Sequence, residues 1–129
     1  LERDVDAWVA SAGKDQPWLV PLSFIWHDGN LVFAMSSSTR TARNVSSPAP
    51  VRVALGGTRD VVLVDGEARI APSDDLSADE LGLYRTKHGS DPRSWADTII
   101  RVRPSRTQAW REENELEGRL IMRDGTWLR

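Results

Sequence analysis

Residues 18–45 read WLVPLSFIWHDGNLVFAMSSSTRTARNV, and this stretch predicts the centre of the fold. Residues 18–26 are strand-like, although Pro21 prefers a sheet edge or a bulge. Asp28-Gly29 is typical of a two-residue hairpin turn, and residues 31–35 form a second strand-like run. Residues 36–47 lose the strand pattern and predict a loop that leads into a short helix. The stretch therefore predicts an antiparallel hairpin that ends in a serine-rich corner.

Two further strands follow this corner. Residues 51–55 and 61–70 have strand-like composition and are joined through Gly56-Gly57. Asp65-Gly66 either divides the second run into another hairpin or marks a bulge in one long strand. The periodicity leaves both alternatives open.

The C-terminal half predicts one helix and a further group of strands. Ser77 and Glu80 have the spacing of a capping box, and a helix that starts there should end near Gly89. Residues 98–111 alternate well enough for a long strand, and residues 120–128 suggest a closing hairpin.

The N-terminal residues 1–12 predict a short amphipathic helix, because four apolar residues recur at helical spacing (Val5, Trp8, Val9 and Ala12). The sum is five to seven strands and about three short helices, without regular βαβ alternation. This pattern predicts a mainly β (α+β) protein, an antiparallel barrel with short peripheral helices. The length suits a single domain over residues 1–129.

The composition limits the classes of function. The 129 residues include 17 Lys plus Arg and 19 Asp plus Glu, and the net charge of −2 argues against a nucleic-acid partner. No apolar run approaches the roughly 20 residues of a membrane span, so no membrane partner is expected. The lack of cysteine excludes thiol nucleophiles and disulfides, and with no visible signal peptide it predicts a cytoplasmic protein. The chain opens on Leu1 rather than Met, which indicates a trimmed start.

Tryptophan is unusually frequent, with six residues scattered along the chain (Trp8, Trp18, Trp26, Trp95, Trp110 and Trp127). Large rings supply much buried area, so these residues are expected in the core or at a subunit interface.

Side chains for acid–base or metal chemistry are few. His27 and His88 each lack a second ligand at metal-site spacing, so both are expected at the surface. The neighbouring carboxylates of Asp74-Asp75 and Glu112-Glu113 point apart on a helix or a strand and predict solvated faces. Nucleotide-binding glycine motifs and a G-x-S-x-G elbow are absent from the sequence. No catalytic residue and no metal ligand is predicted.

The serine-rich corner is the strongest candidate for a site. Four consecutive hydroxyl residues at 36–39 precede Arg40 and Arg43, where a strand ends and a short helix begins. Such a group favours a bound anion, because hydroxyls donate hydrogen bonds and a guanidinium binds phosphate in bidentate fashion. An ordinary helix cap explains the same residues, and both interpretations stay open. Arg59, after the Gly56-Gly57 turn, is a second candidate donor or a rim ion pair.

The order and spacing of these segments resemble the pyridoxamine-phosphate-oxidase-like flavin-binding group. The resemblance runs from about Trp18 to Ala71, and a weaker similarity follows near the C-terminus. It is carried by residues 19–24, 31–36, 38–45, 51–55, 59–68 and 104–111.

The resemblance implies a split β-barrel, usually homodimeric, that binds FMN or the related deazaflavin coenzyme F420 at the dimer interface. Four residues of the first long strand would lie along the isoalloxazine ring (Val20, Pro21, Leu22 and Ser23). The end of the next strand and the helix after it would hold the phosphate (Met35, Ser36, Thr39, Arg40 and Thr41). Arg59 or Asp60 would touch the polar edge of the ring, and Trp110 of the other subunit would border the site.

One departure from the resemblance bears on the cofactor. Oxidases of the namesake type carry Arg-Lys at the phosphate, whereas this chain has Arg40-Thr41, so vitamin B6 oxidation is not expected. Arg43 or Arg59 could replace the missing cation. A deazaflavin, whose phosphodiester carries less charge, would tolerate this arrangement and use Arg43, Arg52 and Arg59 as a groove.

Three functions from different classes follow. The first is a flavin- or deazaflavin-dependent oxidoreductase that acts on a small molecule, in which the cofactor performs the hydride chemistry. The second is a non-catalytic flavin-binding or carrier protein on the same barrel. The third is a small β-barrel interaction module in which the corner is only a helix cap.

Overall fold

The structure is a computed structural model that describes residues 6–14, 16–110 and 120–128. Expectations for Leu1, Val5, Arg111 and Glu112-Glu113 concern residues outside these ranges. The strands are β1 (Asp6–Ala12), β2 (Pro17–His27), β3 (Asn30–Met35), β4 (Ala49–Gly57), β5 (Asp60–Pro72), β6 (Thr98–Trp110), β7 (Leu120–Arg123) and β8 (Thr126–Trp127). The helices are α1 (Arg40–Asn44) and α2 (Ala78–His88), with short 3-10 turns at Ser73–Asp75 and Pro92–Ser94.

Six of these strands close into an antiparallel barrel in the order β1–β2–β3–β6–β5–β4, with β4 returning to β1. β7 pairs with the second half of β6, and β8 pairs with β7. The predicted antiparallel barrel with short outer helices is therefore confirmed. Closure leaves few free strand edges in a protein of this size.

The predicted N-terminal helix is wrong, because Asp6–Ala12 is strand β1. Ala7, Val9 and Ser11 are buried, whereas Trp8 is exposed, which is the two-residue period of a strand. The exposed apolar ring of Trp8 obscured this alternation in the sequence. Pairing with β2 on one side and β4 on the other determines the strand conformation. With β1, the described part of the chain contains eight strands, whereas five to seven were predicted.

The hairpin turn and both ends of α2 were predicted correctly from local signals. Asp28 and Gly29 both have positive φ (52° and 78°), as a two-residue hairpin turn of this kind requires. In α2, the Ser77 hydroxyl accepts from the Glu80 backbone N–H, and the Glu80 carboxylate accepts from the Ser77 N–H. Gly89 caps the C-terminal end of α2 in the left-handed conformation.

The two alternatives for Asp65-Gly66 are decided in favour of a bulge. β5 is one strand of 13 residues, and its register with β6 shifts between Asp65 and Gly66. Asp65 lies opposite Arg106 and Gly66 opposite Pro104, so Ser105 is the extra residue, on β6. The Ser105 hydroxyl donates to the Asp65 carbonyl (3.1 Å).

The core consists of two clusters on opposite faces of β3. Leu31 and Phe33 face the barrel interior, where they pack with Phe24 and Val53. Val32 lies in the second cluster, with Tyr84 of α2 and Ile99 of β6. Because both faces of β3 are buried, residues 31–35 read as a continuous apolar run rather than an alternating one.

Among the described tryptophan side chains, three lie outside the core and Trp26 packs against the cluster in the barrel interior. Trp8, Trp95 and Trp127 each have about half of their surface exposed (49%, 49% and 50%). Trp18 and Trp26 are half-buried. The side chain of Trp110 lies outside the described residues. The core interpretation is wrong for the three exposed rings.

An ion pair fastens α2 to the barrel. Glu80 is buried (4% exposed) and accepts from Arg101 of β6, with Nη2 2.7 Å from Oε1. Arg101 also donates to the carboxylate of Asp75 (3.0 Å). Burial acts to raise the pKa of Glu80, but the hydrogen bonds from Arg101 and Ser77 outweigh it and hold the pKa below its ordinary value.

Replacement of Arg101 by Ala should lower the free energy of unfolding at pH 7 by about 2 kcal/mol, because it leaves a buried carboxylate without its cation. The lowered Glu80 pKa means that the pair stabilises the fold above the unfolded-state pKa of about 4 and that this contribution is lost as pH falls. Urea unfolding should therefore show the full deficit at pH 7 and a smaller one near pH 3.

Arg69→Ala is the matched control, because the Arg69–Glu67 pair is exposed on both sides and should contribute under about 1 kcal/mol. Equal deficits in the two variants, or an Arg101→Ala deficit independent of pH, would contradict this account.

Candidate functional site

The serine-rich corner joins β3 to α1 at the surface of the barrel. Thr39 is the N-cap of α1: its hydroxyl accepts from the Ala42 backbone N–H (3.2 Å) and donates to the Ser36 carbonyl (2.9 Å). The Ser36 and Ser38 hydroxyls lie 2.9 Å apart and both residues are exposed. The cap interpretation is thus confirmed for Thr39, and it leaves the hydroxyls of Ser36 and Ser38 facing solvent.

A carboxylate reaches this corner from a distant part of the chain. Asp97, just before β6, accepts from the Ser37 backbone N–H (2.7 Å) and from the Ser37 hydroxyl (2.8 Å). These hydrogen bonds, that of the backbone N–H first, lower the pKa of Asp97. The sequence analysis missed this residue, because 60 positions separate it from Ser37 and no local pattern connects them.

One contact attaches α1 to the start of β2, and another attaches it to the end of β1. The Arg40 guanidinium lies over the indole ring of Trp18, 5.1 Å from its centroid. The Asn44 amide donates to the hydroxyl of Ser11 (3.1 Å), and Ser11 is opposite Trp18 in the β1–β2 pair. A cation over an aromatic face is a favourable contact that restricts the guanidinium to this side of the corner.

The first half of β2 presents a strand edge beside the corner. Residues 17–23 pair with β1, whereas pairing of β2 with β3 begins only at Phe24 and runs to His27. Among the described residues, Val20–Ser23 therefore have a strand partner on one side only. Pro21 is exposed within this edge, and Val20 is half-buried. The position of Pro21 agrees with its expected preference for an edge.

The predicted phosphate residues differ in how their side chains are placed. Arg40 and Arg43 are exposed. Ser36, which directly follows β3, is exposed as well. Met35 and Thr41 are buried (4% and 2% exposed). The side chains of Met35 and Thr41 thus shape the corner from within the fold.

Three further predicted residues lie at the β4–β5 turn and at the end of β6, and β1 separates β4 from β2. Arg59 and Asp60 are at the exposed β4–β5 turn, and Trp110 is opposite Val61 in the β5–β6 pair. The registers of β1 with β2 and β4 place this turn toward Ser23 rather than Trp18. Five residues of strand separate those two positions, which is about 17 Å at 3.3 Å per residue.

The expected groove of three arginines is not assembled at the corner. Arg52 makes a bidentate ion pair with Asp65, with Nε–Oδ1 at 2.6 Å and Nη2–Oδ2 at 3.1 Å. Its charge is therefore matched, and the hydrogen bond and charge of Asp65 raise the pKa of Arg52. Arg59 lies at the β4–β5 turn, whereas Arg40 and Arg43 follow Ser36 in the corner and Arg93 lines a cavity with Ser36.

The described residues also bear on the histidines and on the acidic side chains. Within them, no group of three or more His, Asp or Glu side chains is placed to hold a metal ion. No described helix combines the length and the apolar character needed to cross a bilayer. His88 is half-buried, with Nε2 2.8 Å from the Phe24 carbonyl, so it connects α2 to β2. His27 is half-buried beside the hairpin turn.

No protein-family model matches the sequence, and no curated protein matches it. Solved structures do match. General Stress Protein 26 of Bacillus anthracis str. Sterne is 18% identical, with a TM-score of 0.62 over 85% of this chain and 87% of that one. An F420 reductase is 24% identical, with a TM-score of 0.64 over 83% of this chain and 91% of that one.

A third structure carries a family description. It is a Clostridium acetobutylicum protein of the pyridoxinephosphate oxidase family, related to general stress protein 26, at 16% identity and a TM-score of 0.61. It is matched over 85% of this chain and 82% of its own. This chain has the pyridoxamine-phosphate-oxidase-like split-barrel fold.

The predicted site residues lie in two places on the barrel. The corner contains the hydroxyls and Arg40, which lies over Trp18 at the start of β2. Arg59, Asp60 and the backbone of Trp110 lie at the β4–β5 turn and the adjoining end of β6, and β1 separates β4 from β2.

Proposed function

We propose that this chain binds a flavin or a deazaflavin, FMN or coenzyme F420, and catalyses hydride transfer between it and a small molecule. The observation that carries the proposal is the open edge of Val20–Ser23 beside the Ser36 and Arg40 corner. Support also comes from the fold, which is shared with an F420 reductase and with a protein of the pyridoxinephosphate oxidase family.

The residues present fit a planar ring that carries a phosphate. Arg40 is exposed and has no carboxylate partner among the described residues, and the Ser36 and Ser38 hydroxyls face the same solvent. A guanidinium and hydroxyls are the donors that bind a phosphate oxygen. Val20 and Leu22 are half-buried apolar side chains on the adjacent edge. The corner would hold the phosphate, and the edge would lie along the ring.

When bound, the cofactor supplies the hydride chemistry, and the chain supplies binding, orientation and exclusion of water. Arg40 would hold the phosphate end, and the Val20–Ser23 edge would cover one side of the ring. Arg59 and Asp60, at the β4–β5 turn, would meet the polar edge of the ring. No acid–base residue is required by this division of labour, in agreement with the positions of His27 and His88.

Titration of the purified protein with FMN and with coenzyme F420 tests the proposal. A cofactor at the corner should quench the fluorescence of Trp18, which lies under Arg40. We expect saturable quenching by at least one of the two. Hydride turnover with the reduced cofactor and an artificial acceptor then separates an oxidoreductase from a carrier. If neither cofactor quenches the fluorescence, the result contradicts the proposal and favours the interaction module.

We also infer that a second copy of the chain covers the outer face of β1 and β2. Trp8 and Leu19 are exposed (49% and 58%) and lie on this face with Pro21, which is opposite Trp8 in the β1–β2 register. Exposed apolar side chains grouped in this way are typical of an interaction surface. The face adjoins the Val20–Ser23 edge, so a second copy there would border the cofactor.

Replacement of both Trp8 and Leu19 by Ser should convert the dimer to a monomer, because it removes the two most exposed apolar anchors of this face. Sedimentation should change from twice 14.4 kDa to 14.4 kDa at micromolar concentration. Trp95→Ser is the matched control, since Trp95 is equally exposed but lies near the start of β6. A mass of 14.4 kDa for the wild-type protein in sedimentation would overturn the proposed dimer.

A further inference from the structure

We propose that a cleft lined by Trp26 and Trp127 binds a pyranose sugar without net charge. The β2–β3 hairpin, β6 and the β7–β8 hairpin line this aromatic cleft, which has a volume of about 430 Å³. The inference does not rest on the proposed function, because the cleft lies at the end of β3 that is farther from the corner. The six residues of β3 separate the two places by about 20 Å.

Strand pairing places the β2–β3 hairpin beside β6. Leu31 is opposite Val102 in the β3–β6 register, so Asn30, which precedes Leu31, and Arg103, which follows Val102, are neighbours. Trp26 is opposite Leu31 in the β2–β3 pair, and its half-buried ring packs against the core cluster of the barrel interior. One wall of the aromatic cleft is therefore an indole that the core holds in position.

The β7–β8 hairpin supplies another wall. In its turn, the backbone N–H of Gly125 donates to the carbonyl of Ser105, the extra residue of the bulge in β6 (2.6 Å). Trp127 is opposite Met122 in the β7–β8 pair. Met122 is buried, whereas half of the surface of Trp127 is exposed. The bulge thus anchors a hairpin whose exposed indole borders the aromatic cleft.

Three polar side chains of the aromatic cleft are free to bond to a ligand. The side chains of Asp28, Asn30 and Arg103 make no hydrogen bond or ion pair with any residue that the structure describes. Glu67 is opposite Arg103 in the β5–β6 register, but its carboxylate is paired with Arg69 (2.8 Å).

A sugar ring without net charge matches this combination of groups. A pyranose has an apolar C–H face that packs on an indole, and a rim of hydroxyls that both donate and accept hydrogen bonds. The carboxylate, the amide and the guanidinium of the aromatic cleft supply the complementary acceptors and donors. Asp28 and Arg103 are the charged residues that line the cleft, and their opposite charges favour neither an anion nor a cation. The volume is within the range of roughly 300–1,000 Å³ of small-molecule sites.

Solution NMR of the indole N–H signals, assigned in the wild-type protein, tests the inference. The probes are methyl glucoside, methyl galactoside and N-acetylglucosamine at millimolar concentration. We expect at least one of them to shift the signals of Trp26 and Trp127 in a saturable manner. The signals of Trp8 and Trp95, which are as exposed as Trp127 but lie outside the cleft, should stay unchanged. Sorbitol, a linear polyol without a ring face, should shift none of the four.

Two substitutions identify the groups that hold the sugar. Trp127→Ala should weaken the affinity for the probe that binds best by about tenfold or more, because it removes the stacking contact. Arg103→Gln should weaken it by about threefold or more, because it removes a charged donor. Trp95→Ala and Arg106→Gln are the matched controls, since both residues are exposed and neither lines the cleft. Both controls should retain the wild-type affinity.

The sugar assignment can fail in several distinct ways. Indole-3-acetate is the anionic comparison probe. If it shifts the signals of Trp26 and Trp127 while no sugar does, the cleft takes an anion and the assignment is wrong. No shift with any sugar, equal shifts at Trp8 and Trp95, or wild-type affinity in Trp127→Ala would also overturn it. Because the probes are uncharged, an affinity that falls steeply with added salt would contradict the inference as well. None of these results bears on the proposed function, which titration with FMN and coenzyme F420 measures.

Discussion

Gly66→Ala is expected to lower the free energy of unfolding by about 3 kcal/mol, the largest effect of any single substitution considered for this chain. Gly66 lies in β5 opposite the bulge at Ser105. A Cβ there would meet the backbone carbonyl oxygen of Arg103 and lie 2.9 Å from Cγ1 of Val102. A carbonyl in a closed barrel cannot move without disturbing the β5–β6 ladder, which explains the size of the effect.

The matched control is Gly57→Ala at the end of β4, where an added Cβ meets nothing within 4 Å. Urea unfolding of both variants should show a lower midpoint for Gly66→Ala and little change for Gly57→Ala. If Gly66→Ala unfolds at the wild-type urea concentration, the close approach of β5 and β6 is not essential to the barrel.

Arg40→Ala is expected to weaken cofactor binding by about 1.5–3 kcal/mol, or roughly 10- to 150-fold in affinity. The reason is the loss of a hydrogen bond to a charged phosphate from a guanidinium that the Trp18 ring holds in place. Titration with FMN and with coenzyme F420 measures the change directly. Arg40→Lys should give an intermediate loss, because it keeps the charge but not the planar, bidentate geometry.

Arg123→Ala provides the control for a general loss of positive charge, since Arg123 is exposed on β7 and outside the proposed site. Its affinity should equal that of the wild type. An unchanged affinity in Arg40→Ala would show that the phosphate assignment is wrong. It would leave the split-barrel fold intact, because Arg40 is exposed and contributes to no core cluster.

Most element positions could be predicted because their signals are local. The hairpin turn at Asp28-Gly29, the capping box of α2 and the closing hairpin each depend on a few neighbouring residues. The wrong prediction of a helix at β1 has a different cause, because the strand conformation there depends on pairing with β2 and β4. Trp8 is apolar yet exposed, so hydrophobic spacing alone could not show which face of the segment is buried.

The candidate site also contains residues that the sequence predicted and residues that it could not predict. The hydroxyls and Arg40 were predicted from a contiguous stretch, and the structure places them together beside β2. Asp97 could not be found, because its partner Ser37 is 60 residues away and only barrel closure joins the start of β6 to the end of β3. The pairing of Arg52 with Asp65 is also invisible in sequence, because it depends on the β4–β5 register.

By itself, the sequence determined most of the strands and the helix α2 from Pro17 onward, several of the turns that join them and the chemical character of the serine-rich corner. Each of these depends on interactions within a few residues along the chain. Tertiary structure alone decided which strands flank β2 among the described residues, which arginine lies over Trp18 and which carboxylate enters the corner. Those outcomes depend on which strands pair and in what register, and pairing brings together residues whose separation along the chain carries no local signal.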